Sequence, residues 1–205
     1  MSSVKKQKWD ILLEKLSINT EHSKVASHKN IVSLAEKINV NLPEDYQYYC
    51  QILGSGCLAE FIDIYYLDED LILEGKEVAE YMIERINYGI QHRTSIDSVS
   101  LEAEEYNENR DDESYILLLN SSLVFGNYNG EIVFFWDLRT YNSSDDSYDI
   151  YCYSQDVPDG EIPVKIGRDF TDFICDFCYG QLPCQLISEV FPESPREVSY
   201  TFYGG

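Results

Sequence analysis

Basic residues are scarce in this 205-residue sequence. The 15 Lys and Arg stand against 37 Asp and Glu, so the formal net charge is −22 at pH 7. Proteins that bind nucleic acids without regard to sequence need Lys and Arg to displace counterions from phosphate. Anionic membrane surfaces attract basic segments for the same electrostatic reason. The composition therefore argues against nucleic acid and membranes as partners and favours a basic protein.

Long apolar runs are also missing. The longest hold about five residues, such as 132–136, whereas a membrane-spanning helix needs about 20. The N-terminal stretch MSSVKKQKWDILLEKL has a basic start but neither an apolar run nor a cleavage site, so we expect no signal peptide. Without secretion, the six Cys are expected to remain reduced thiols. These absences predict a cytoplasmic protein.

Catalytic and cofactor-binding motifs are absent as well. The three His, at 22, 28 and 92, have no partner at metal-ligand spacing. No phosphate-binding loop or nucleophile elbow occurs, and the Gly-Ser-Gly turn at 54–56 is better explained as the stop of a helix. We therefore expect no enzyme activity, no catalytic residue and no cofactor.

One cysteine spacing leaves alternatives open. Cys175 and Cys178 form a C-x-x-C pair, and Cys184 follows, so these thiols could hold zinc or form a redox pair. They lie in an aromatic stretch predicted to be helical, where free Cys commonly packs as a small apolar side chain. Core packing is the favoured interpretation, and no metal site is predicted.

Apolar residues at helical spacing predict three helices in the first part of the chain. The stripes are Trp9, Leu12, Leu13 and Leu16; then Ile31, Leu34, Ala35 and Ile38; then Tyr46, Tyr49 and Leu53. The third helix begins near Pro43, has acids in its first turn and ends at 54–56. The polar stretch 17–30 is predicted to be a loop.

The residue pattern in the middle of the chain predicts mainly β-structure. Strands are predicted at 61–66, 115–119, 123–125, 131–138 and 148–153, with a hairpin turn at 127–130. Residues 75–92 are predicted to be helical, and a final helix begins near Asp169. The stretch after 183 is either a short strand or a loose tail. Together these elements predict an α+β fold with N-terminal helices, a central antiparallel sheet and a closing C-terminal helix.

The negative charge is concentrated in residues 97–161, which hold 16 acids and two Arg, a net charge of 2 − 16 = −14. Acids at this density either keep the protein soluble or form part of an interface with a basic partner. Charge clustering and expected loop exposure select the candidate partner-binding residues. They are Asp68, Glu69, Asp70, Asp111, Asp112, Glu113, Asp145, Asp146 and Asp149.

Three motifs, in the right order, resemble the SUKH superfamily, which includes the Smi/Knr-type domain. The first is Leu-Pro-x-x-Tyr at 42–46, followed by the glycines at 54 and 56. The second is Phe-Gly-x-x-x-Gly-x-Ile-Val-Phe at 125–134, followed by Trp-Asp-Leu at 136–138. The third is Ile-Gly-x-x-Phe-x-x-Phe-Ile at 166–174. The resemblance covers about residues 30–180, within a single expected domain spanning 1–205.

The resemblance implies an α+β fold and, for bacterial members, an immunity protein that neutralises a cognate toxin by stoichiometric binding. Many such toxins are nucleases, which are basic. For fungal relatives it implies a regulatory protein-interaction adaptor, so this alternative stays open. The chain departs from the shortest members in an acidic insertion at 102–113 and a C-terminal extension at 183–205. A monomer or weak dimer is expected.

Overall fold

The computed structural model describes residues 1–19, 25–93, 112–154, 163–179 and 200–204. Its α-helices are α1 Ser3–Lys15, α2 His28–Ile38, α3 Glu44–Ile52, α4 Glu69–Arg93, α5 Asp112–Asn120 and α6 Phe170–Asp172. Its strands are β1 Ser17–Asn19, β2 Gly56–Leu58, β3 Ile62–Ile64, β4 Ser122–Tyr128, β5 Ile132–Asn142, β6 Ser147–Ser154, β7 Val164–Gly167 and β8 Thr201–Gly204. The predicted α+β fold is confirmed.

The first three helices form where the apolar spacing predicts them. Ser2 caps α1 by accepting a hydrogen bond from the backbone N–H of Lys5, and Ser27 caps α2 in the same way from Asn30. The stripe residue Trp9 is 1% exposed, and its indole N–H donates to Thr171 Oγ1 at 3.1 Å. The helices are thus anchored by burial of their apolar faces rather than by their caps alone.

The eight strands of the described residues belong to one sheet, in the order β1-β8-β2-β3-β4-β5-β6-β7. Every neighbouring pair is antiparallel except β1 and β8, which run parallel. The predicted loop at 17–30 is therefore wrong for residues 17–19, which pair with a strand from the far end of the chain. For the stretch after 183, a short strand or a loose tail is expected from the sequence, and β8 confirms the strand at 201–204.

The predicted hairpin turn joins β4 to β5. Asn129 and Gly130 have φ values of 51° and 74°, the left-handed conformations that a tight hairpin needs at both positions. The side-chain oxygen of Asn127 accepts a hydrogen bond of 2.7 Å from the backbone N–H of Gly130. The Asn-Tyr-Asn-Gly stretch thus sets the register of the two central strands.

Helices cover both faces of the sheet, which explains why β5 is apolar at successive positions. Phe134 and Trp136 face the larger core, which includes residues from α1, α2, α3 and α6. Val133 and Phe135 face a smaller core with Met82 of α4 and residues of α5. The strand therefore buries the side chains of both its faces.

The strand predicted at 115–119 is wrong, because these residues lie in α5. Its apolar run packs Leu118 and Leu119 against Met82 and Ile86 of α4, across the sheet from the larger core. A short apolar run does not distinguish a buried strand from a buried helix, and Leu is a good helix former. Glu113 in the first turn also favours the helix.

The closing helix begins where predicted and then changes its winding. Asp169 caps α6 by accepting a hydrogen bond of 3.1 Å from the backbone N–H of Asp172. A π-helical segment, Phe173–Cys178, follows directly. Phe170, Phe173 and Ile174 are each at most 4% exposed and pack against the sheet. Within the described residues, no helix is both long and apolar enough to cross a membrane.

Candidate functional site

A groove of about 1060 Å³ opens between the start of α1, the α2–α3 connection and the β5–β6 hairpin. We call it the acidic groove. Its carboxylate side chains are Glu36, Glu44, Asp45, Asp145 and Asp146. Its apolar side chains are Val32, Ala35, Val40 and Leu42. An apolar wall beside convergent charged groups is the usual make-up of a binding site.

The first wall of the acidic groove depends on a tight turn between two helices. Asn39 ends α2 with φ 54° and ψ 46°, a left-handed conformation that Asn tolerates better than most residues. Pro43 then begins α3, and Leu42 accepts a hydrogen bond of 2.6 Å from the side-chain amide of Gln47. The short connection holds Val40 and Leu42 against the groove.

The second wall is the β5–β6 hairpin, fixed by Asp146. This residue has a φ of 52°. Its Oδ2 accepts a hydrogen bond of 2.7 Å from the backbone N–H of Glu44, and its Oδ1 accepts one of 2.9 Å from the hydroxyl of Tyr141. The Tyr141 bond raises the pKa of that hydroxyl. Asp146 therefore joins the two walls, and both its carboxylate oxygens are occupied.

The lining residues Lys5 and Asp45 belong to an ion-pair network. Asp45 is 1% exposed, and its Oδ2 accepts hydrogen bonds from Lys5 Nζ at 2.9 Å and Thr171 Oγ1 at 2.9 Å. Lys5 Nζ also lies 2.6 Å from Asp169 Oδ2. Burial lowers the pKa of Lys5, but its bonds to Asp169 and Asp45 outweigh burial, so the net pKa is raised. This charge is therefore satisfied from within the chain.

Three other carboxylates of the acidic groove remain accessible, and one of them, Glu44, is 63% exposed and pairs with the N-terminal ammonium of Met1. Asp145 has a side chain that is 47% exposed, with Ser147 Oγ 2.7 Å from its Oδ1 and Arg168 Nε 3.7 Å from its Oδ2. Glu36 is exposed on α2 and forms no ion pair within the described part of the chain. These two side chains can meet a cation brought by another molecule.

The expectation of loop exposure is wrong for Asp149, which lies inside β6 and is 8% exposed. Lys165 Nζ binds one of its oxygens at 2.6 Å, and Arg168 Nη1 binds the other at 2.7 Å. Lys165 lies on the neighbouring strand β7 and Arg168 directly follows it, 16 and 19 residues further along the chain than Asp149. Its carboxylate is thus directed into the fold rather than toward a partner.

The acids at 68–70 begin α4 and do not line the acidic groove. Asp68 Oδ1 accepts a hydrogen bond of 2.9 Å from the backbone N–H of Leu71, which caps the helix. Glu69 pairs with Lys37 at the end of α2. Asp70 is exposed. This group therefore forms a second acidic surface, partly neutralised by one lysine.

The third predicted group is described only in part. Asp111 lies outside the described residues, as does most of the predicted acidic insertion at 102–113. Asp112 begins α5, and the Glu113 side chain is exposed there.

The C-x-x-C thiols lie in the π-helical segment. Burial raises the pKa of Cys175 to about 12 and that of Cys178 well above its ordinary value, so both are protonated at neutral pH. Zinc ligation and thiol nucleophilicity both need the thiolate. Cys184 lies outside the described residues, within which no cluster of metal-ligating side chains occurs. The packing role agrees with this burial.

Charge clustering along the sequence selects Asp145 and Asp146 but not Glu36 or Val32, which also line the acidic groove. Glu36 follows Val32 by one helical turn on α2, and Val32 is 37% exposed. An apolar residue outside the buried stripe of its helix, followed by an acid at i+4, was the available signal. It is a weak signal, because single exposed apolar residues are common on protein surfaces.

Comparison with known families identifies the fold. Residues 25–176 match the model of the SMI1 / KNR4 family (SUKH-1), which is more than half of the chain. A comparison with curated proteins found no match. Domains of this family are generally non-catalytic and act through protein–protein interaction, in immunity-type and related roles. The chain therefore belongs to the SMI1 / KNR4 family (SUKH-1), as its three ordered motifs predict.

Proposed function

We propose that this protein is an immunity protein that neutralises a cognate basic toxin, a nuclease in the simplest case, by stoichiometric binding. Family membership supports a protein-binding role, and the acidic groove on a chain of net charge −22 supports a basic partner. The observation that carries the proposal is this groove, whose accessible carboxylates include Glu36 and Asp145.

Electrostatics explains how such a protein would inhibit a nuclease. A nuclease presents a positive surface to phosphate, and an acidic protein can occupy that surface in place of the substrate. Attraction between opposite charges raises association rates about 10- to 1000-fold, and salt weakens the effect steeply. Short-range contacts then set the dissociation rate. The same acids that steer association therefore need not carry most of the affinity.

The predicted acids divide into three roles under this proposal. Asp145 contacts the partner in the acidic groove. Asp68, Glu69, Asp70, Asp111, Asp112 and Glu113 steer the basic partner through their charge. Asp146 and Asp149 support the fold, since their carboxylate oxygens are bonded within the chain.

A panel of purified toxin domains tests the proposal. Basic nuclease domains with pI above about 9 are mixed one by one with the protein, and complex formation and residual nuclease activity are measured. One member of the panel is expected to form a stable one-to-one complex and lose activity. Co-expression should also protect cells from that toxin. Binding without inhibition, or no binding across the panel, would overturn the proposal.

The alternative is a regulatory adaptor of the Smi/Knr type. The match to the SMI1 / KNR4 family supports this function as well as it supports an immunity protein. The adaptor's partner would be a cellular protein with no toxic activity. The two functions differ in one observable, because only an immunity protein restores growth to cells that express the toxin. A stable complex with a non-toxic cellular protein, without protection, would favour the adaptor.

A further inference from the structure

We infer that the acidic groove binds an extended basic segment of the partner, in which Arg or Lys side chains alternate with apolar ones. This inference rests on the proposed function for the nature of the partner and deepens it by naming the segment that the groove accepts. Four features of the described residues support it: groove size, an exposed apolar wall, accessible carboxylates and rigid walls.

The size of the groove favours a peptide segment over a single side chain. Its volume of about 1060 Å³ is at the upper end of the range for ligand sites, about 300–1000 Å³. It is partly open to solvent and lies between the α2–α3 connection and the β5–β6 hairpin, which Asp146 links. An extended chain can enter such an opening without unfolding either wall.

The apolar wall requires apolar groups in the occupant. Val32 is 37% exposed, and Ala35 and Val40 are half-buried beside it. Contact with an apolar side chain would remove this surface from water, which is the main favourable term in most protein association. A purely charged peptide would leave the wall exposed.

The charges of the groove require cations in the occupant. Asp45 and Asp146 are already bonded to groups of the chain, whereas Glu36 and Asp145 keep accessible oxygens. Lys5 is held by Asp45 and Asp169, and the N-terminal ammonium of Met1 pairs with Glu44, so both lining cations are engaged within the chain. An Arg guanidinium fits such a carboxylate with two parallel hydrogen bonds.

The walls are already fixed before any partner arrives. Asp146 bonds the hairpin to the first residue of α3, and Asn39 sets the turn on the other side. A preformed groove avoids the entropy loss of ordering loops on binding. The groove therefore favours a segment that is itself extended, since only the occupant has to be ordered.

The test uses a short fluorescein-labelled peptide of alternating Arg and Leu, with fluorescence anisotropy as the readout. Two matched peptides carry Glu in place of Arg, or Ser in place of Leu. We expect saturable binding of the Arg–Leu peptide, weakened by salt, and much weaker binding of both matched peptides. No saturable binding of the Arg–Leu peptide, or equal binding of all three, overturns the inference.

Two pairs of variants locate the site. Glu36→Gln with Asp145→Asn removes two groove charges, and Glu77→Gln with Glu80→Gln removes two exposed charges of α4. Val32→Ser on α2 is matched by Leu73→Ser, which changes an exposed apolar residue on α4. Each groove variant should lower the affinity about fivefold, as expected for partly exposed contacts. Equal losses in the α4 controls would overturn the inference.

The outcome separates this inference from the proposed function. If a toxin of the panel binds and the groove variants bind it as tightly as the α4 controls do, the groove inference fails and the immunity function stands. If the Arg–Leu peptide binds in the groove but no toxin is neutralised, the immunity function fails and the groove inference stands.

Discussion

Asp146 caps a helix from which it is separated by more than one hundred residues: its Oδ2 accepts a hydrogen bond of 2.7 Å from the backbone N–H of Glu44. We expect Asp146→Ala to lower the free energy of unfolding by about 1–2 kcal/mol, because a helix N-terminus loses its cap and Tyr141 loses its acceptor. Urea denaturation measures the change.

The neighbouring Asp145 is the control for this substitution. It is exposed, so Asp145→Ala should change the free energy of unfolding by at most about 0.5 kcal/mol. Asp146→Asn should recover most of the loss, since Asn keeps an oxygen acceptor and tolerates the left-handed conformation. Equal effects of the two Ala variants would contradict the capping role.

Gly126 is required by the close approach of two strands. A Cβ at this position would lie 2.5 Å from the carbonyl oxygen of Asp63 and 2.9 Å from Ile64 Cδ1. Gly126→Ala should therefore force β3 away from β4 and lower the free energy of unfolding by about 1–3 kcal/mol. Thermal and urea unfolding measure this loss.

Gly167 provides a matched comparison, because a Cβ there would meet nothing within 4 Å. Gly167→Ala is expected to change stability by at most about 0.5 kcal/mol. Both glycines belong to motifs of the SUKH resemblance, and only the first has a packing reason in the structure. A larger loss at 167 than at 126 would show that the strand contact does not set the requirement.

Stability should fall steadily in alkaline solution. Burial raises the pKa of Cys50 from 9.0 to about 12, that of Tyr148 from 10.0 to about 12, and that of Tyr46 well above 10.0. The folded state therefore keeps protons that the unfolded chain releases. This contribution is complete below pH 9 and is lost as the pH rises toward 12.

Urea midpoints between about pH 8 and about pH 11 test this dependence. Tyrosinate absorbance provides an independent readout, since buried tyrosines should ionise only as the protein unfolds. A flat midpoint across this range, or ionisation of all 17 tyrosines before unfolding, would contradict the expected shifts.

Two adjacent core tyrosines differ in their hydrogen bonds. The buried Tyr49 hydroxyl has no hydrogen-bond partner within the described part of the chain. The Tyr46 hydroxyl donates to the carbonyl of Tyr65 at 2.8 Å and accepts from the N–H of Leu67 at 3.1 Å. We expect Tyr49→Phe to raise the free energy of unfolding by about 0.5–1 kcal/mol, because an unsatisfied buried hydroxyl is removed.

Tyr46→Phe should have the opposite effect. It leaves a buried carbonyl and a buried N–H without their partner, which lowers the free energy of unfolding by about 1–3 kcal/mol. Chemical denaturation of both variants gives the comparison. Destabilisation by Tyr49→Phe as large as that by Tyr46→Phe would show that the two hydroxyls are equally well satisfied.

Local patterns predicted the elements whose signals lie within a few residues. The stripe from Trp9 to Leu16 and the turn at Asn129 and Gly130 depend on helical spacing and on left-handed backbone angles, which neighbouring residues determine. The strand β1 could not be predicted in this way. Its three residues are all exposed, and only pairing with β8 makes them a strand.

Only part of the acidic groove could be predicted from the sequence, because the groove also depends on contacts between distant parts of the chain. Charge clustering selects Asp145, but its neighbours in the groove come from α1 and the α2–α3 connection, which only the fold brings close. Asp149 shows the converse error. Its acidic neighbourhood predicts exposure, whereas Lys165 and Arg168 on and beside the next strand bind it. The density of acids along a sequence does not show which of them folding will pair with Lys or Arg.

The position of β8 between β1 and β2 determines when the sheet can be completed during synthesis. Phe202 is fully buried, and β8 is hydrogen-bonded to strands that begin at 17 and at 56. Until residues 201–204 have left the ribosome, a nascent chain exposes an unpaired β2 edge, which other chains can pair with. The sheet is therefore completed only after residues 201–204 have been made, and chaperone dependence of newly made protein should reflect this order.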